Sequence, residues 1–178
     1  MLEVVPKCRP CLDPEFVPAV LWNRLYRDLV RSSGRARPLA LALERGDGAV
    51  SVYTTEVFPH ESPWTELNER YTERLLKFLL WQRGAWRVTV AGDPAIAEYL
   101  RGVYAPCGAR AFDYQFMGER VYGKPMEIEN VPLERAPEAQ ESALHLGGHF
   151  EGCRIGFDLG GSDRKCAAVI DGEVVHTE

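Results

Sequence analysis

Near the end of the chain the run DLGGSDRK places Asp158, Gly160, Gly161, Ser162 and Lys165 close together. Each residue type has a distinct use. Two glycines let backbone amides approach an anion with no Cβ in the way and tolerate the backbone angles of an anion nest. The Ser162 hydroxyl adds a donor beside them, and Lys165 offers a positive charge to phosphate. Asp158, acceptor-only when ionised, suits a magnesium ion held through water, because that ion keeps much of its hydration shell. The expected chemistry is phosphate binding by Asp158, Gly160, Gly161, Ser162 and Lys165, with Asp158 facing the metal. The bland alternative is a plain hairpin loop, since glycine-rich loops are common.

The flanking residues must form the strands that present this turn. Ile155, Phe157 and Leu159 alternate with Gly156 and Asp158, so a strand with one apolar face carries Asp158 on its other side. Gly160 to Asp163 make the turn, Lys165 to Ile170 a second strand, Asp171-Gly172 a second hairpin turn, and Glu173 to Glu178 a third strand. Asp163, an acid beside a phosphate loop, is expected to face solvent.

The segment IGFDLGGSDRKCAAVIDGEVV resembles the phosphate-1 motif of the ROK family (repressors, open reading frames and sugar kinases) of the actin-like ATPase superfamily. Asp158, Gly160, Gly161, Ser162 and Lys165 match that motif position by position; the likeness covers about the last 25 residues. It implies a ribonuclease-H-like lobe, ATP and Mg²⁺ as ligands, and phosphorylation of a sugar hydroxyl. The family's catalytic aspartate, sugar contacts, second phosphate loop and Cys/His zinc cluster have no counterpart in these residues. No catalytic residue is therefore assigned, and the chain is expected to be an inactive N-terminal fragment of a kinase or kinase-like protein.

Upstream, the periodicity predicts an α/β fold, with α+β as the alternative: a small mixed sheet with packed helices. A helix follows Pro18, with Leu21, Leu25 and Leu29 on its inner face, widened by Trp22 and Tyr26. Two strands follow, carrying Leu39, Leu41 and Leu43 and then Val50, Val52 and Thr54, joined by a turn at Asp47-Gly48. Ser62-Pro63 opens a helix with a capping hydroxyl, its inner face formed by Trp64, Leu67, Tyr71, Leu75, Phe78 and Leu79. Trp86, Val88 and Val90 mark a strand, and Asp93-Pro94 starts a helix through Ile96, Ala97, Leu100 and Val103. From Phe112 the alternation of Phe112, Tyr114, Phe116 and Tyr122 suits an exposed hairpin or loop, either core-facing or a stacking platform for a sugar or partner. The domain reading is an α/β extension over 1–130, an acidic Pro/Glu linker over 131–150, and an incomplete nucleotide-binding domain over 151–178.

Composition narrows the function classes. The 178 residues carry a formal charge of −5, which argues against a non-specific nucleic-acid binder. No apolar run approaches a membrane span and no signal peptide is evident, so a cytoplasmic address is expected. Five cysteines, an odd number, without an export signal imply reduced thiols. Cys8 and Cys11 form a lone CxxC that could close a metal site only with His145, His149 and Cys153; His60 and His176 belong to no constellation. Arg31, Arg35 and Arg37 read as a solvated helix end. Two other functions compete with the kinase. A regulator of the same family would carry an N-terminal helix-turn-helix, which strands over 38–58 disfavour. A non-catalytic binding or assembly module, a homo-oligomer included, is compatible with residues 1–150.

Overall fold

The computed structural model describes residues 2–61, 63–141 and 147–178. It is a mixed α/β structure in two compact units, Met1–Glu141 and Ser142–Glu178. Among the described residues no helix is long and apolar enough to cross a membrane.

The first unit is built on a four-stranded sheet whose strands, β1 (Arg37–Glu44), β2 (Val50–Val57), β3 (Arg87–Ala91) and β4 (Glu127–Val131), lie in the order β2-β1-β3-β4. β1 (Arg37–Glu44) is flanked on both sides and reads as a continuous buried run, as a central strand must. Leu39, Leu41 and Leu43 join Val88 and Val90 of β3 (Arg87–Ala91) in the main core, while Ala40 and Ala42 are buried on the opposite face. β2 (Val50–Val57) pairs antiparallel with β1, Leu41 opposite Tyr53 and Leu39 opposite Thr55. That register corrects the expected inner face of β2: Ser51, Tyr53, Thr55 and Val57 lie on the leucine side, and Val50, Val52 and Thr54 on the alanine side. The connecting turn decides the register. Gly48 donates to the Arg45 carbonyl at 3.1 Å and Arg45 to the Ala49 carbonyl at 2.9 Å, with a positive φ at Gly48 alone. This is a three-residue hairpin loop ending in a glycine bulge, in place of a two-residue Asp-Gly turn.

α1 (Ala19–Ser32), α2 (Thr65–Arg83) and α3 (Pro94–Val103) contribute side chains to this core. α3 starts as predicted, the Asp93 carboxylate accepting from the amides of Ala95 and Ile96. The expected Ser62 cap lies outside the described residues. In α1 the buried stripe is Trp22, Tyr26 and Val30, one position on from the predicted leucines; Leu25 is exposed. In α2 Leu76 and Leu80 are buried where Phe78 was expected, and Phe78 is 61% exposed. The buried face of each helix includes a polar side chain that finds a partner across the core. Asn68, fully buried, accepts from the Tyr26 hydroxyl at 2.6 Å and the Phe58 amide at 3.1 Å, and donates to the Phe58 carbonyl at 2.8 Å. Burial pushes the Tyr26 phenol well up, keeping it a donor.

Phe112 onward corrects the expected hairpin. α4 (Ala111–Gln115) runs into a wide π turn over Phe116–Tyr122. Buried Asp113 anchors it, accepting from Trp81 Nε1 at 2.7 Å and Lys77 Nζ at 3.3 Å. β4 (Glu127–Val131) then pairs parallel with β3, a strand not anticipated in the sequence. Residues 131–141, read as linker, belong to this unit: a 3₁₀ turn at Leu133–Arg135 packs against β1 and β3, and Gln140 bridges to Val50. The strap thereby reaches from one sheet edge to the other.

Replacing Asn68 with leucine strands three buried groups at once, so unfolding stability is expected to fall by about 3 kcal/mol. Urea denaturation measures this. A loss below about 1 kcal/mol would mean that the Tyr26–Asn68–Phe58 contacts are not formed.

Candidate functional site

The second unit is an antiparallel meander of β5 (Cys153–Leu159), β6 (Arg164–Ile170) and β7 (Glu173–Thr177). Asp171 and Gly172, at φ 47° and 88°, close the second hairpin with left-handed backbone at both central positions. The first hairpin carries the candidate phosphate residues. Asp158 sits directly opposite Lys165 and Leu159 opposite Arg164, which leaves Gly160, Gly161, Ser162 and Asp163 at the tip. All are exposed. The five predicted residues are therefore brought together at one end of one hairpin.

Strand alternation puts Asp158 and Lys165 on the same face as the opposed pair Gly156 and Ala167. Small side chains there leave an open concavity of about 620 Å³, lined by Gly156, Asp158, Lys165, Ala167 and Thr177 among others. A carboxylate and an ammonium thus stand side by side at the rim of a hollow, next to an exposed turn.

The turn itself differs from the expected nest in two respects. Neither Gly160 nor Gly161 has a positive φ, so the amides do not form a preshaped anion cradle. A Cβ at Gly160 would lie 2.7 Å from Asp163 Oδ1 and 3.0 Å from the Asp163 carbonyl, whereas a Cβ at Gly161 would meet nothing within 4 Å. A side chain at Gly160 would crowd the return of Asp163; Gly161 is the position open to an incoming group. Asp163 also lies 3.5 Å from Lys165 Nζ. It is exposed, as expected, but its carboxylate folds back over the turn instead of pointing away. An exposed pair of this kind is worth little and is readily exchanged.

Other predicted groups fall elsewhere. Cys8 and Cys11 are exposed in the first unit, His149 and Cys153 are exposed in the second, and His145 lies outside the described residues. Phe112 and Phe116 stack with Trp81, ring centroids 5.3 to 6.4 Å apart, while Tyr114 and Tyr122 are half-buried and outside that stack. Arg31 and Arg35 pair with Glu56 and Glu61.

One grouping was missed. Cys166, His176 and Glu178 bring a sulfur, a ring nitrogen and a carboxylate oxygen within 4.8 Å of one another. Cys166 and Glu178 exchange backbone hydrogen bonds at 2.8 and 3.0 Å, and His176 lies opposite Ala168, two residues along on the same face. These are donor types that zinc accepts. The His-x-Glu spacing was visible, but its partner depends on cross-strand register, which a bulge between Ala168 and Val169 shifts.

Comparison with protein-family models, curated proteins and solved structures finds no match to this chain.

The contrast between the two glycines is testable. Gly160→Ala is expected to displace Asp163 and move the amide resonances of the whole turn, and Gly161→Ala to move only its immediate neighbours. Small, equal perturbations in a proton–nitrogen correlation spectrum would mean that Asp163 does not fold over Gly160.

Proposed function

We propose that this chain is the N-terminal part of a ROK-type, ATP-dependent sugar kinase or kinase-like protein of the cytoplasm, whose β5–β6 turn holds the phosphates of Mg-ATP. The observation that carries this reading is the register of the hairpin: Asp158 and Lys165 directly opposed, with Gly160, Gly161 and Ser162 exposed between them.

The residues fit the phosphate tail in part. The space on the Cβ side of Gly161 is open, exposed Ser162 follows it, and exposed Asp158 is available to a hydrated cation. The fold-back of Asp163 does not fit. Phosphate entry draws Lys165 from Asp163 and moves that carboxylate off Gly160, a low-cost exchange for an exposed pair. Bound magnesium would offset phosphate charge; the chain's own part is to position, through Asp158 on one strand and Lys165 on the other. No phosphoryl transfer is expected from these residues, which include no counterpart of the family's catalytic aspartate. The concavity beside Asp158 is open enough for the remainder of a nucleotide or for a sugar.

The regulator reading needs a helix-turn-helix, whereas among the described residues α1 is followed by the β1–β2 hairpin.

Calorimetric titration of the full chain with ATP is expected to give saturable binding that needs magnesium. Asp158→Ala should weaken it by roughly tenfold or more, the usual order for losing a charged ligand contact. Gly161→Ala, conformationally silent in the free chain, should also weaken it by crowding the phosphate. No magnesium-dependent uptake, or unchanged affinity in Asp158→Ala, would overturn the assignment.

A further inference from the structure

A cavity of about 330 Å³ opens in the first unit between α1, α2 and the edge strand β2. Asn23 and Arg27 reach it from α1, Tyr53 from β2, and Tyr71, Arg74 and Phe78 from α2. Its volume is at the small end of the range for organic ligands. Two features make it more than a packing gap.

The first is charge. Among the described residues no carboxylate lines the cavity, while two arginines do, Arg27 of α1 and Arg74 of α2, and neither is in an ion pair. A guanidinium is a planar donor fork matched to a carboxylate.

The second is an apolar rim. Val20 and Phe78 line the same cavity and are 57% and 61% exposed, with buried Leu75 beneath. A large aromatic left half in water beside a hollow is a surface that a ring can cover. The Tyr71 hydroxyl is hydrogen-bonded to Thr55 at 2.8 Å, and burial raises its pKa, so it remains a neutral hydrogen-bonding wall.

We propose that this cavity binds a small aromatic acid. Its carboxylate meets Arg27 and Arg74, and its ring covers Leu75 and Phe78. The site belongs to the first unit and does not depend on nucleotide binding. It gives that unit a ligand-sensing role of its own.

The test titrates the full chain with 3-phenylpropionate, propionate and inorganic phosphate, followed by proton–nitrogen correlation spectra. Phenylpropionate is expected to bind saturably below about 1 mM and to shift the amides of α1 and α2 beside the cavity. Removing its ring should weaken binding by roughly tenfold, through Phe78. Arg74→Gln, at an exposed position that folding tolerates, should weaken phenylpropionate by roughly tenfold or more; Arg27→Gln should do the same, and Arg120→Gln should have no effect. Inorganic phosphate that shifts the same α1 and α2 amides, and binds there as tightly as phenylpropionate, would reduce the site to a bare cationic patch and overturn the proposal. So would the absence of saturable binding of phenylpropionate at about 10 mM, or binding that survives Arg74→Gln.

Discussion

One buried carboxamide ties together three parts of the first unit that are far apart in the chain. Asn68 on α2 satisfies both backbone groups of Phe58, just past β2, and receives the hydroxyl of Tyr26 on α1. A carboxamide has an acceptor oxygen and two donors, and here the oxygen serves two partners. Rings close around it: Tyr26 stacks on Tyr71 at 4.3 Å and Phe58 on Trp64 at 4.3 Å. Because an unpaired buried amide would be costly, the contact admits only one placement of α1 against α2. The cavity between those helices, with Arg27 and Arg74 on its walls, is a consequence of that placement.

The second unit is held by different forces. Its strands are joined by backbone ladders and two tight turns, and the apolar face carrying Ile155, Phe157 and Leu159 is 70 to 80% exposed. With little side-chain packing, the geometry of the candidate phosphate turn rests on register and on the fold-back of Asp163. Such a turn is easily reshaped, which suits an anion arriving from solvent better than a rigid scaffold would.

Much of the first unit was readable from its residues. The Asp93-Pro94 start of α3, the leucine alternation of β1 and the Val88–Val90 strand carry strong local signals, and the tertiary contacts agree with them. The misses share a cause. Phe112 and Phe116 look like strand alternation until Asp113 is seen buried against Trp81 and Lys77, a long-range contact that makes the segment helical. Phe78 looked like core because it is large and apolar, but the buried face of α2 leaves it at the surface. Residues 131–141 looked like linker because they are acidic and proline-rich, yet Leu133 and Gln140 dock them on the sheet.

For the candidate sites the division is sharper. Residue identities alone single out Asp158, the glycine pair and Lys165 as candidates for phosphate binding, because those residues are close in the chain and their chemistry is intrinsic. What local order could not supply is anything that depends on chain segments meeting. The opposition of Cys166 to Glu178, the return of Asp163 over Gly160, and the convergence of Arg27 and Arg74 on one hollow all arise from strand register or helix docking. Those are set by the burial of partners many residues away, and no short stretch of sequence contains them.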